Sequence, residues 1–138
     1  MKTIKLIFII LVLSPLLVNS GSPFFFNQIP EGISIAIKAG NSKELAKFFN
    51  STIELTILNK EDVYSKSQAE LIVKDFFKKY SPENFIILHR GGKEVTKYAI
   101  GNLTTTNGIF RVYFLLKTEN EIPLIHQLRI EEEDHDEQ

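Results

Sequence analysis

Hydrophobic positions along the chain change period several times, and each change marks an element. Lys2 and Lys5 precede an unbroken apolar run from Leu6 to Leu13, which Ser14-Pro15 interrupts before Leu16, Leu17 and Val18. Phe24-Phe25-Phe26 follows, and three adjacent Phe cannot all point the same way, so some must pack against the domain or a partner. Ile29, Ile33 and Ile37 lie four apart and form one face of a short helix, with Pro30 suited to its first position and Gly40 to its left-handed end. Asn41 or Ser42 then caps a second short helix, with Glu44 in reach of a reciprocal contact and Leu45, Phe48 and Phe49 as its buried face. From Thr52 to Leu58 the period is two, which predicts a strand with Ile53, Leu55 and Ile57 on its dry side. Asn59 to Ser65 reads as a mostly polar connection.

Ala69, Ile72, Val73, Phe76, Phe77 and Tyr80 step by three and four, the stripe of a long amphipathic helix. Ser67 with Glu70 supplies a capping box, and Pro82 prevents continuation. Beyond it the period returns to two, predicting strands over Phe85–His89, Tyr98–Thr104, Ile109–Lys117 and Ile122–Ile130. Asn107-Gly108 marks a tight hairpin, and Glu119 to Glu121 a three-residue turn. Paired this way, Leu103 faces Val112, Gly101 faces Phe114 and Ala99 faces Leu116, a small-residue strip over which the long helix can approach. Leu124 lies beside Leu116, His126 beside Phe114 and Leu128 beside Val112. The opposite face collects Tyr98, Ile100, Asn102, Arg111, Tyr113, Leu115 and Ile125.

Helix, helix, strand, long helix and four antiparallel strands make an α+β fold: N-terminal helices and one long helix packed on a curved antiparallel sheet. This order resembles the nuclear transport factor 2-like superfamily, the cone shared with ketosteroid isomerase and polyketide cyclases. More narrowly, Leu88-His89-Arg90-Gly91, Tyr98-Ala99-Ile100-Gly101 and Gly108-Ile109-Phe110-Arg111-Val112-Tyr113 look like a family of small secreted bacterial proteins of unknown function on that fold. The resemblance covers nearly all of Pro30 to Glu131 and implies no activity, since the fold hosts many unrelated ones. It does imply that the inward sheet face lines the cone, and that dimerisation often uses the outer face.

Length and composition narrow the function classes. At 138 residues there is room for one ordinary domain, and 43% hydrophobic content with 11 Phe is enough to bury a core. The absence of Cys excludes a disulfide framework, thiolate metal sites and thiol catalysis. A formal net charge of -1 gives no basic face for nucleic acid. That total conceals a mildly basic body and an acidic end, because residues 131–138 hold six acids and no base. The division expected is a signal peptide over 1–20, an N-terminal segment over 21–29, a single domain over 30–130 and a disordered acidic tail over 131–138. The opening apolar run is too short and too interrupted by Pro15 for a spanning helix, and no Cys offers a lipid anchor, so no stable membrane attachment is expected after cleavage.

Candidate chemistry is sparse. His126 lies on an apolar stripe with Ile122, Leu124, Leu128 and Ile130, either as a satisfied core histidine or as a pocket group with Phe114 and Tyr80 nearby. His89 and Arg90 are either an anion-binding pair at a pocket mouth or residues flanking a turn. The inward strand positions hold no Asp or Glu that could serve as a general base, so no catalytic residue is assigned. With only His89, His126 and His135 and no close-spaced pair, no metal and no cofactor are expected. Tyr98, Ile100, Tyr113, Leu115 and Ile125 are the interface candidates. They are covered by a second copy, by another partner, or by Phe24–Phe26. The function expected is a secreted or periplasmic, non-catalytic domain that binds a protein partner or a small apolar ligand. The alternative is a cone-pocket lyase or isomerase using His126.

Val18 and Ser20 occupy the positions three before and one before a cleavage site. The native extracellular or periplasmic protein should therefore begin at or within a few residues of Gly21, which intact-mass measurement reads directly. Recovery of the full-length chain in the inner membrane would be the contrary result.

Overall fold

A computed structural model describes residues 28–134. The expected signal sequence, Phe24–Phe26 and the last four residues of the tail lie outside the described residues. Helix α1 (Glu31–Ala39) buries Ile33, Ala36 and Ile37, and Gly40 closes it at φ 65°. Asn41 caps the short α2 (Ser42–Ala46) by accepting a hydrogen bond from the Glu44 N–H. The chain then forms β1 (Phe49–Ile57) and turns back into β2 (Lys60–Ser65). Helix α3 (Lys66–Lys79) follows, and then β3 (Pro82–Lys93), β4 (Thr96–Thr105), β5 (Gly108–Glu119) and β6 (Ile122–Glu132).

The fold is α+β, with the helices packed on one six-stranded sheet ordered β2-β1-β6-β5-β4-β3. Its strand pairs are antiparallel except that β1 runs parallel to β6. Three local expectations change. Phe49 belongs to β1 and not to α2. The polar stretch before α3 is a strand, because β1 needs an edge partner and the charged Lys60, Glu61 and Asp62 suit an exposed edge. The capping box uses Ser65 and Gln68, two residues before Ser67 and Glu70: each side chain bonds the other's backbone N–H, at 3.3 and 3.2 Å.

The β4–β5 turn comes one residue earlier than expected. Thr105 pairs with Gly108 across Thr106-Asn107, so Leu103 faces Phe110, Gly101 faces Val112 and Ala99 faces Phe114. A slip of two residues leaves every side chain on its expected face. Phe85 of β3, not the long helix, covers Gly101; a Cβ there would stand 2.6 Å from the Ile86 carbonyl oxygen and 2.7 Å from the Phe85 ring.

The last strand departs more deeply. Glu119 pairs with Ile122 across Asn120-Glu121, both at positive φ, where a three-residue turn was expected. Leu116 then pairs with Ile125 but Leu115 with Gln127, so His126 is an extra, unpaired residue: a β-bulge. The bulge reverses the alternation. Ile125, expected outside, is fully buried in the core; Leu128 and Ile130 remain inside opposite Phe114 and Val112. His126 leaves the inward stripe. A second bulge at Leu88 separates Ile87, opposite Gly101, from His89, opposite Ile100, and moves His89 off the face of Phe85 and Ile87.

Side chains fill the space beneath the helices. Helix α3 approaches β1 and β2, while α1 approaches β3. Over the middle strands the gap is closed by rings: Phe110 makes edge contacts with Phe76 at 5.1 Å and Tyr80 at 4.8 Å, and Phe49 and Phe114 are fully buried beside them. The bulge makes a sharp stability test. Ile125→Ala should cost about 2–5 kcal/mol in denaturant unfolding, and Leu124→Ala no more than about 1 kcal/mol. An uninterrupted alternation would give the reverse order.

Candidate functional site

The helices leave one sheet face to solvent, and its centre is aromatic and apolar. Across the strands, Gly91, Tyr98, Leu115, Gln127 and Glu54 form one row, and His89, Ile100, Tyr113 and Arg129 the next. Tyr98 and Tyr113 lie with ring centroids 6.2 Å apart. The Tyr98 ring also lies over Gly91, where a Cβ would stand 2.5 Å from it, so the missing side chain lets the ring lie flat on the sheet. Tyr98, Ile100, Tyr113 and Leu115 are each half-buried. Polar groups of both signs ring them: Gln127 donates from Nε2 to Glu54 Oε2 at 3.0 Å, Arg129 pairs loosely with Glu131, and Asn102 reaches Glu133 at 3.5 Å.

His126 sits at this face's edge. Its Nε2 is shielded from solvent and has no hydrogen-bond partner among the described residues, as does Asn102 Oδ1. Burial holds the imidazole pKa below its ordinary 6.5, and Lys117 lowers it further, while Glu119 opposes both. The neutral ring is therefore the preferred form.

The expected pocket residues are not brought together. Phe114 is sealed in the core, and Tyr80 ends α3 against Phe76 and Phe110. His89 is exposed on the outer face, and Arg90, opposite Ala99, lines a cleft of about 440 Å³ between α1 and β3. Of the interface candidates, Tyr98, Ile100, Tyr113 and Leu115 share one surface, whereas Ile125 lies beneath it. A second cleft, of about 460 Å³, opens where α3 meets the β1–β2 hairpin, lined by Leu55, Ile57, Leu58, Tyr64 and Ile72. The second cleft was not legible beforehand, since β2 itself read as a loop. The adjacent polar pair His126-Gln127, breaking the alternation between Ile125 and Leu128, was the available sign of the bulge. No group of three or more metal-capable side chains occurs among the described residues, and none of their helices is long and apolar enough to cross a membrane.

Residues 30–131 match the family described as Domain of unknown function (DUF4783). The chain belongs to the DUF4783 family. A DUF4783 protein from Bacteroides ovatus is 34% identical, with a TM-score of 0.74 over 78% of this chain and 97% of that one. Another, from Bacteroides uniformis, is 35% identical over 78% of this chain and 100% of that one, also at 0.74. A putative ketosteroid isomerase from Kribbella flavida is 9% identical, with a TM-score of 0.55 over 78% of this chain and 77% of that one. It shares the cone fold, which places DUF4783 among nuclear transport factor 2-like folds. No curated protein matches the chain.

The His126 environment fixes a pH dependence. The folded state binds fewer protons there than the unfolded state, whose imidazole titrates near 6.5. The contribution is complete above that value and is lost as pH falls through the lower, folded one. Denaturant midpoints measured from about pH 8 to about pH 5 should fall more steeply for the wild type than for His126→Leu. Parallel curves would be the contrary result.

Proposed function

We propose that this DUF4783 protein is an exported, non-catalytic binding domain whose outer sheet face docks a second copy of itself. The observation that carries this reading is the half-buried patch of Tyr98, Ile100, Tyr113 and Leu115 on the face that the helices leave open. An aromatic centre with a polar rim is the composition of an interface core. The rim carries both signs, with Arg111 and Arg129 against Glu54 and Glu131, so the same surface on a second copy can complement it about a two-fold axis. Export is supported by the basic start, the short apolar run and the Val18-x-Ser20 site.

A lyase or isomerase acting through His126 has less support. The bulge places that imidazole at the outer face, away from the ring-filled interior, and the inward strand positions carry no carboxylate.

Light scattering of the chain lacking its signal segment tests the reading. A concentration-dependent dimer is expected, and Tyr113→Lys should weaken it about a hundredfold or more, because an unpaired charge would enter the interface. A wild-type monomer at every accessible concentration would remove the second copy as the occupant.

A further inference from the structure

The cleft between α3 and the β1–β2 hairpin has a chemistry of its own, independent of the outer sheet face. Its wall is apolar, built from Leu55 and Ile57 of β1, Tyr64 of β2 and Ile72 of α3. At about 460 Å³ it falls within the range of small-molecule sites. Lys60 completes the lining. It pairs with Ile57 across the hairpin, on the same side as Tyr64, and makes no ion pair among the described residues. Asp62, on that side between them, already accepts the Val63 N–H at 2.8 Å. The cleft thus joins an apolar wall to one unengaged ammonium.

The hairpin tip adds an independent observation. Only Leu58 and Asn59 connect Ile57 to Lys60, and Leu58 adopts φ 55°. A left-handed conformation suits Gly or Asn and strains Leu, whose β-carbon crowds the backbone. The strained turn sets a half-buried leucine on the cleft wall, fixed by a 2.8 Å hydrogen bond from Leu58 N–H to the Ile130 carbonyl. An adjoining cleft shares Leu58 and Asn59 with this one and is lined beyond them by Glu131, Glu132 and Asp134, which repel an anion from that side of the tip. Among the residues lining the two clefts, Lys60 carries the one positive charge, so a carboxylate is directed to its side of the tip.

We infer that this cleft binds an amphipathic carboxylate, its hydrocarbon body against Leu55, Leu58 and Ile72 and its carboxylate on the Lys60 ammonium. Amide chemical-shift titrations with decanoate, decanol and decylamine, below micelle-forming concentrations, test it on wild type and Lys60→Met. Lys60 is exposed, so the substitution leaves the fold intact. Decanoate should saturate with shifts centred on Ile57, Leu58, Tyr64 and Ile72, binding about tenfold tighter than decanol, with decylamine weakest. Lys60→Met should remove the advantage of the carboxylate while keeping decanol binding. No saturable decanoate binding at these residues, decylamine binding as tightly as decanoate, or unchanged decanoate affinity in Lys60→Met would each overturn the assignment.

Discussion

The interior of this domain depends on the aromatic layer between helix α3 and the middle strands of the sheet. Helix α3 runs from the β1–β2 hairpin toward the β4–β5 turn, where Asn107 Nδ2 donates to the Lys79 carbonyl at 3.2 Å, and α1 lies against β3, so large groups must fill the space beneath them. Phe76 and Tyr80 reach down from α3 to meet Phe110, and Phe49, Phe114 and Leu116 complete the layer. Protein interiors are packed about as densely as organic crystals, so a gap of this kind must hold side chains or cost stability. Among the described residues the interior volume goes to rings, and the clefts described above lie at the periphery.

The bulge at His126 follows from the same demand. Leu116 and Phe114 both need apolar partners from β6, and continuing the register of the Glu119–Ile122 hairpin unbroken would put Gln127 opposite Phe114 and turn Leu128 outward. The extra residue lets Ile125 enter beneath Leu116 and Leu128 beneath Phe114, while His126 and Gln127 turn toward polar company. Gln127 finds Glu54 on β1, and the imidazole sits within the field of Lys117 and Glu119. A polar amide is thereby kept out of a dry core, at the cost of an unpaired His126 Nε2 among the described residues.

The course of the chain was readable where periodicity ran long. The α3 stripe, the Gly40 stop and the faces of β4 and β5 could be read because a helix of 14 residues and strands of 10 and 12 residues repeat their pattern several times. A two-residue slip in the hairpin even left those faces unchanged. Legibility failed at single-residue events. One unpaired residue in β6 exchanged the roles of Ile125 and His126, and one in β3 moved His89 off the face of Phe85 and Ile87. Edge strand β2 was hidden because its charged, exposed residues carry almost no hydrophobic signal. The cleft it helps to form was hidden with it, since no local pattern announces that Lys60 and Ile72 will meet across a hairpin and a helix.

Xenon pressurisation of crystals tests the filled interior most directly, because xenon enters apolar cavities that water leaves empty. The expected result is no xenon among Phe76, Phe110 and Phe114, with any bound atom confined to the peripheral clefts. A xenon site between α3 and the middle strands would contradict a ring-filled cone and restore an internal pocket to consideration.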